Sequence, residues 1–153
     1  MPARKPQRLK LRAIDPDDYQ VLAACLQDAL MPLAQMAFRR KERRFVALVR
    51  RFVWERQAAD GATGRPATPL YQFDSGLRFE GVERVRHTGI DRSDSKSVLE
   101  LLTIVTEPAA VTLVCAGGAA IRLEGRSIVA MVEDRGRAEA APMTPRHDRE
   151  PGS

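Results

Sequence analysis

The sequence predicts an α+β fold in which one N-terminal amphipathic helix lies on a mainly antiparallel β-sheet. The sheet is expected to be built from two similar three-stranded units, arranged as a small barrel or a sandwich. Three observations predict this. Asp15-Pro16-Asp17-Asp18 opens a stretch in which Tyr19, Leu22, Leu26 and Ala29 keep the three-and-four spacing of one buried helical face. Several β-rich runs follow, separated by turn chemistry. Two of these runs end in nearly the same phrase, Leu77-Arg78-Phe79-Glu80-Gly81 and Ile121-Arg122-Leu123-Glu124-Gly125. Each phrase alternates apolar and charged residues and closes on a glycine, where a strand bends or meets another backbone.

The elements follow in order. Leu9, Leu11 and Ala13 alternate with Lys10 and Arg12 and read as a first strand. Asp15 offers an N-cap oxygen, and Pro16 sits where its missing N–H costs nothing. Asp17 and Asp18 favour the positive end of the helix dipole. The helix is expected over about residues 16–28, with Pro32 stopping any continuation. Met36-Ala37-Phe38 and Phe45 to Trp54 flank Arg39-Arg40-Lys41-Glu42-Arg43-Arg44, which makes the basic cluster the turn of a hairpin. Phe45, Ala47, Val49 and Val53 lie on one side of the second strand, with Val46, Leu48, Phe52 and Trp54 on the other. Such a strand is central and covered on both faces, with the helix over one of them. Residues 57–69 lack periodicity and read as a flexible surface excursion. Strands are expected at 76–88, 97–106, 110–116 and 119–125, with Ala116-Gly117-Gly118-Ala119 as a hairpin turn. Residues 127–134 fit a short helix as well as a last strand. The repeat sets residues 35–88, with the excursion inserted, against 98–132.

A chain of 153 residues has the length of one domain and can bury about 68–70% of its unfolded surface without disulfides or a metal. The expected organisation is a basic arm over 1–8, a single domain over 9–136 and a proline-rich tail over 137–153. Cys25 and Cys115 fall at apolar positions and read as reduced core thiols. No metal-ligand spacing and no cofactor motif is present, so neither a metal nor a cofactor is expected. The amino terminus leads into no long apolar stretch, and the longest uncharged run, Pro108 to Ile121, is too short to cross a bilayer. A cytoplasmic protein without membrane contact is the expectation.

The net charge of +5 keeps a polyanion or an acidic protein surface in play as partner. Arg39, Arg40, Lys41, Arg43 and Arg44 form a compact electropositive knob, extended by Arg50 and Arg51. Guanidinium forks hold phosphate or carboxylate with two parallel bonds. Aromatic residues are 5% of the chain and fall at core positions, so a nucleic acid would be met through its backbone and not by base stacking. Candidate catalytic groups are sparse. His87 with Asp91 could form an acid–base pair across a turn, and Cys115 precedes Gly117-Gly118, yet neither stands in a nucleophile motif. Two functional readings result. The favoured one is a non-enzymatic binding module that meets an acidic partner, protein or nucleic acid, through Arg39, Arg40, Lys41, Arg43, Arg44, Arg50 and Arg51. The alternative is a small-ligand or enzymatic domain with a site between the two β units, using His87, Arg122 and His147.

Gln27-Asp28-Ala29, Arg44-Phe45-Val46-Ala47-Leu48, Arg51-Phe52-Val53-Trp54-Glu55, Ala116-Gly117-Gly118 with Ile121-Arg122-Leu123-Glu124, and Pro145-Arg146-His147 together resemble a small alphaproteobacterial family of unknown function, DUF2948. The likeness runs from Leu9 to His147, outside the 57–69 excursion. Arg50, Val53 and Cys115 depart from the family pattern, which has asparagine, arginine and phenylalanine there. The resemblance implies a bacterial cytoplasmic protein whose Pro145-Arg146-His147 end is ordered and docked. It brings no catalytic or binding residue with it.

Overall fold

The helix starts where the sequence places it and ends earlier. In the computed structural model, which describes residues 8–54 and 69–140, β1 (Lys10–Ala13) leads into α1 (Pro16–Cys25). The Asp15 carboxylate caps the helix by accepting from the Asp18 N–H at 2.8 Å, and Asp18 accepts in return from the Ile14 N–H at 2.9 Å. The expected end at residue 28 is corrected to Cys25, because the following backbone bonds to a distant strand. Asp28 takes φ of 65°, its N–H donates to the Leu101 carbonyl at 2.8 Å, and the Leu101 N–H donates to the Ala29 carbonyl at 2.9 Å. Leu26 and Ala29 are fully buried all the same, so the apolar spacing outlasts the helix that it suggested. Pro32 is not the helix stop; it ends a strand, β2 (Leu30–Pro32).

The chain continues through β3 (Met36–Arg39), β4 (Arg44–Trp54), β5 (Pro69–Glu80), β6 (Arg84–Thr88), β7 (Val98–Glu107), β8 (Ala110–Cys115), β9 (Ala120–Glu124) and β10 (Val129–Ala140). Hydrogen bonding links the strands in the order β1-β10-β5-β4-β2-β7-β8-β9-β6, with β3 paired to β4 off this path. The recorded pairings are antiparallel, and the path stays open between β1 and β6. The described residues thus form mainly antiparallel sheet with one α-helix.

Two local expectations change. The single strand expected over 76–88 is two strands, because Gly81 turns the chain at φ of 88° and the Glu83 N–H donates to the Glu124 carbonyl at 2.7 Å. β6 thereby leaves β5 and joins β9 in register Arg84↔Glu124 to Thr88↔Ala120. Of residues 127–134, which fit a short helix as well as a strand, Val129 onward form β10, which pairs with β5 from Val129↔Glu80 and continues to Ala140, past the expected domain limit at 136.

Alternation assigns the faces. Phe45, Ala47 and Val49 of β4, Leu77 and Phe79 of β5, Val111 and Leu113 of β8, Ile121 and Leu123 of β9, and Ala130 and Val132 of β10 all enter one buried cluster. Phe45 and Phe79 meet at 6.3 Å between ring centroids, tilted by 50°. The helix adds Tyr19 and Leu22, packing mainly on β7 and β1. Cover by the helix over β4 is therefore corrected, and Val46 and Leu48 on the outer side of that strand stay only half-buried.

Candidate functional site

The β3–β4 hairpin carries the basic cluster at its tip. Registers Phe38↔Phe45 and Arg39↔Arg44 make Arg40 to Arg43 the connecting residues. Arg43 takes φ of 54°, and its carbonyl accepts from the N–H groups of Gly81 and Val82, each at 2.9 Å. The turn is thus tied down by its backbone to the β5–β6 link, while its side chains are left to solvent. Arg39, Arg40, Lys41 and Arg43 are exposed and have no ion pair among the described residues. Arg44 differs: half-buried, it bonds Glu80 at 2.8 Å, and Glu80 also holds Arg78 at 2.9 Å.

Arg50 and Arg51 separate on opposite faces of β4. Arg50 points outward and reaches Asp74 at 3.2 Å in an exposed pair. Arg51 is in phase with Phe45, Ala47 and Val49, and only 8% of it is exposed. Its guanidinium grips Asp134 through two bonds of 2.8 and 2.6 Å and lies 4.7 Å from the Phe73 ring centroid. Asp134 also accepts from Ser75 Oγ and from the Leu9 N–H, each at 2.6 Å. Burial raises the Asp134 carboxyl, but the bonds from Arg51, Ser75 and Leu9 outweigh it and hold the group below its usual value. Arg51 is therefore corrected from a partner-binding residue to a core clamp that joins β1, β4, β5 and β10. The sequence carried a signal for this cluster: Arg51 and Asp134 each fall on the apolar phase of their strand, as Ser75 does beside Leu77.

Of the alternative site, His87 and Arg122 are not brought together. On the β6–β9 pair His87 stands opposite Ile121, and Arg122 stands opposite Arg86, so His87 and Arg122 occupy opposite faces of the sheet. Arg122 is held by Glu124 at 3.0 Å and by Glu107. Asp91 turns from His87 to Ser93, whose hydroxyl and N–H donate at 2.6 and 3.0 Å and hold its carboxyl below the usual value. His147 and the Pro145-Arg146-His147 end lie outside the described residues, as do the 57–68 portion of the excursion and most of the basic arm. Burial pushes the Cys115 thiol up to about 11 and raises Cys25 as well, so both stay protonated near neutrality. Among the described residues no cluster of His, Cys, Asp and Glu has the arrangement to hold a metal ion.

His87 instead lines a cleft of about 530 Å³ between β3 and β6. Met36, Phe38, Val85 and Ile121 supply apolar walls, with Arg40 and Arg92 also contributing. A second recess, about 680 Å³, runs over the outer face of the β1-β10-β5-β4 half and is lined by Arg8, Lys10, Arg78 and Arg135 around Gly76. Alternation places Arg8, Lys10, Arg12, Arg39, Arg44, Arg50, Arg78 and Arg135 on this face, against Asp74, Glu80, Glu133 and Glu139. Neither recess was legible in the sequence, since each is lined by strands that meet only through the tertiary pairing.

Among the described residues no helix is long and apolar enough to cross a membrane. No curated protein and no solved structure matches the chain. A family model described as a protein of unknown function, DUF2948, matches residues 9–147. That span takes in the described sheet, the basic turn and the lining of both recesses apart from Arg8, and by it the chain belongs to the DUF2948 family.

Proposed function

We propose that the protein is a non-catalytic binding module that meets an acidic partner through the β3–β4 turn. The observation that carries this reading is the contrast within the turn. Its backbone is pinned through Arg43 to Gly81 and Val82, while Arg39, Arg40, Lys41 and Arg43 stand exposed, with no ion pair among the described residues. A held backbone under free cationic side chains lowers the ordering cost of binding an anion. The excess of basic side chains on the adjoining sheet face adds a field of the same sign, which steers an acidic partner toward it. The setting assigned is the bacterial cytoplasm, where Cys25 and Cys115 remain unpaired thiols.

The same reading treats the two halves as copies of one β unit with exchanged last strands, together forming a small sandwich. Support comes from matching registers. Arg44↔Glu80 and Phe45↔Phe79 in one half correspond to Ala110↔Glu124 and Val111↔Leu123 in the other. The Gly81 N–H donates to the Arg43 carbonyl, and the Gly125 N–H donates to the Ala109 carbonyl at 3.0 Å. After its glycine each unit sends a strand across, β6 to β9 and β10 to β5.

The test of binding is serine at Arg39, Arg40, Lys41 and Arg43 together. These exposed changes should move stability by no more than about 0.5 kcal/mol each. Retention on heparin should collapse to lower salt, and any duplex DNA affinity should lose about 0.9 from its salt slope per phosphate contact removed. Unchanged retention on both matrices refutes the turn as the binding site.

A further inference from the structure

β3 pairs only with β4, and β6 only with β9, so each has one unpaired edge among the described residues. Both strands line the same cleft. We infer that this cleft receives an extended acidic peptide segment of a partner protein, which adds as a strand beside β3 and lays acidic side chains on the basic turn. The inference rests on the reading of the turn as an acidic-partner site and specifies the partner's chemistry.

Three features converge on an extended peptide. An open strand edge presents alternating N–H and C=O groups; a peptide backbone satisfies both, whereas a phosphodiester accepts from the N–H groups and has no donor for the carbonyls. The cleft walls are apolar, from Met36 and Phe38 on one bank to Val85 and Ile121 on the other. They suit aliphatic side chains projecting from every second residue of the incoming strand. The charges select acid for the remaining positions. Arg40 and Arg92 line the cleft and are exposed, with no ion pair among the described residues, and Arg39 and Arg84 lie on the two edge strands. The same charges repel a second copy of this basic chain, which would otherwise be a ready strand donor. β3 offers 4 residues and β6 offers 5, so the segment recognised is short.

The probe is a fluorescent peptide of alternating valine and acidic residues, Ac-EVDVEVD-NH2, added to the full chain and followed by anisotropy. A control with the same charges, Ac-EVDPEVD-NH2, carries proline in place of the central valine and loses a backbone donor. The expected result is binding of the first peptide, at least about tenfold weaker binding of the second, and a comparable loss in Val85→Gln. Heparin retention of Val85→Gln should equal that of the unaltered protein. Amide exchange on the unaltered protein should slow at β3 and β6 when the first peptide is added, a reading independent of how any variant folds. Equal binding of the two peptides overturns strand addition and leaves the basic turn standing. Binding of an oligothymidylate in place of either peptide overturns it in favour of nucleic acid. Retention of both heparin and peptide by the four-serine variant refutes the turn as the anion site and leaves strand addition standing.

Discussion

Arg51 and Asp134 show what one charge pair does when the core closes over it. Asp134 is fully buried and Arg51 nearly so, and each satisfies the other with two hydrogen bonds. Removing one partner leaves an uncompensated buried charge, so Arg51→Met or Asp134→Leu should each cost about 3–5 kcal/mol in chemical denaturation. The double variant should cost far less than the sum, because no orphaned charge remains. The acid side of the stability profile should report the same pair. With the folded carboxyl below the unfolded value near 3.8, the stabilisation is fully present above that value and is lost as pH falls through the lower folded one. A pair-free double variant should therefore show a shallower loss of stability below about pH 4. An unaltered acid profile would contradict this account.

Among the elements, α1 and the β3–β4 hairpin show two ways of holding a terminus. The helix relies on its own sequence: Asp15 and Asp18 exchange bonds with neighbouring N–H groups within one turn. Asp15→Ala should lower stability by about 1 kcal/mol, read as a Tm drop of about 3 °C for a domain of this size. No change would mean that Tyr19, whose hydroxyl donates to the Ile128 carbonyl at 2.7 Å, holds the helix by itself. The hairpin instead relies on a remote segment, since Gly81 and Val82 supply the N–H groups that fix the Arg43 carbonyl. That division frees the arginine side chains of the turn from any structural duty.

Over the whole molecule, the crossing of β6 to β9 and of β10 to β5 is the feature on which the sheet order depends. Gly81 and Gly125 meet where β5 hands over to β6 and β9 to β10. A Cβ on Gly125 would run into the Gly81 carbonyl, and one on Gly81 would lie 2.7 Å from the Ser127 carbonyl oxygen at a φ of 88°. Gly125→Ala and Gly81→Ala should each cost about 2 kcal/mol or more, because backbone, not a yielding side chain, stands in the way. Gly76 is the control: a Cβ there meets nothing within 4 Å, so Gly76→Ala should be mild. Equal tolerance at all three positions would remove the crossing from the account of this fold.

The sequence alone determined the local grammar. It placed the cap at Asp15, the hairpin around Arg39–Arg44, the turn at Ala116–Gly118 and the two glycine-closed phrases, because turn chemistry and period-two burial act within a few residues. It also foretold the exposure of Arg39, Arg40, Lys41 and Arg43, since a cluster of like charges resists burial wherever the chain goes. Tertiary structure decided the rest. Leu26 to Ala29 kept their apolar spacing yet left the helix, because the edge of β7 offered their backbone a partner. Arg51 looked like its neighbour Arg50 until Asp134, 83 residues away in sequence, supplied its counter-charge. His87 and Arg122 were separated by strand register, and the β3–β6 cleft arose because β6 crossed to β9 and left two edges unpaired among the described residues. These outcomes depend on which strand edges and which buried charges meet across the fold, and neither periodicity nor turn chemistry carries that information over such distances.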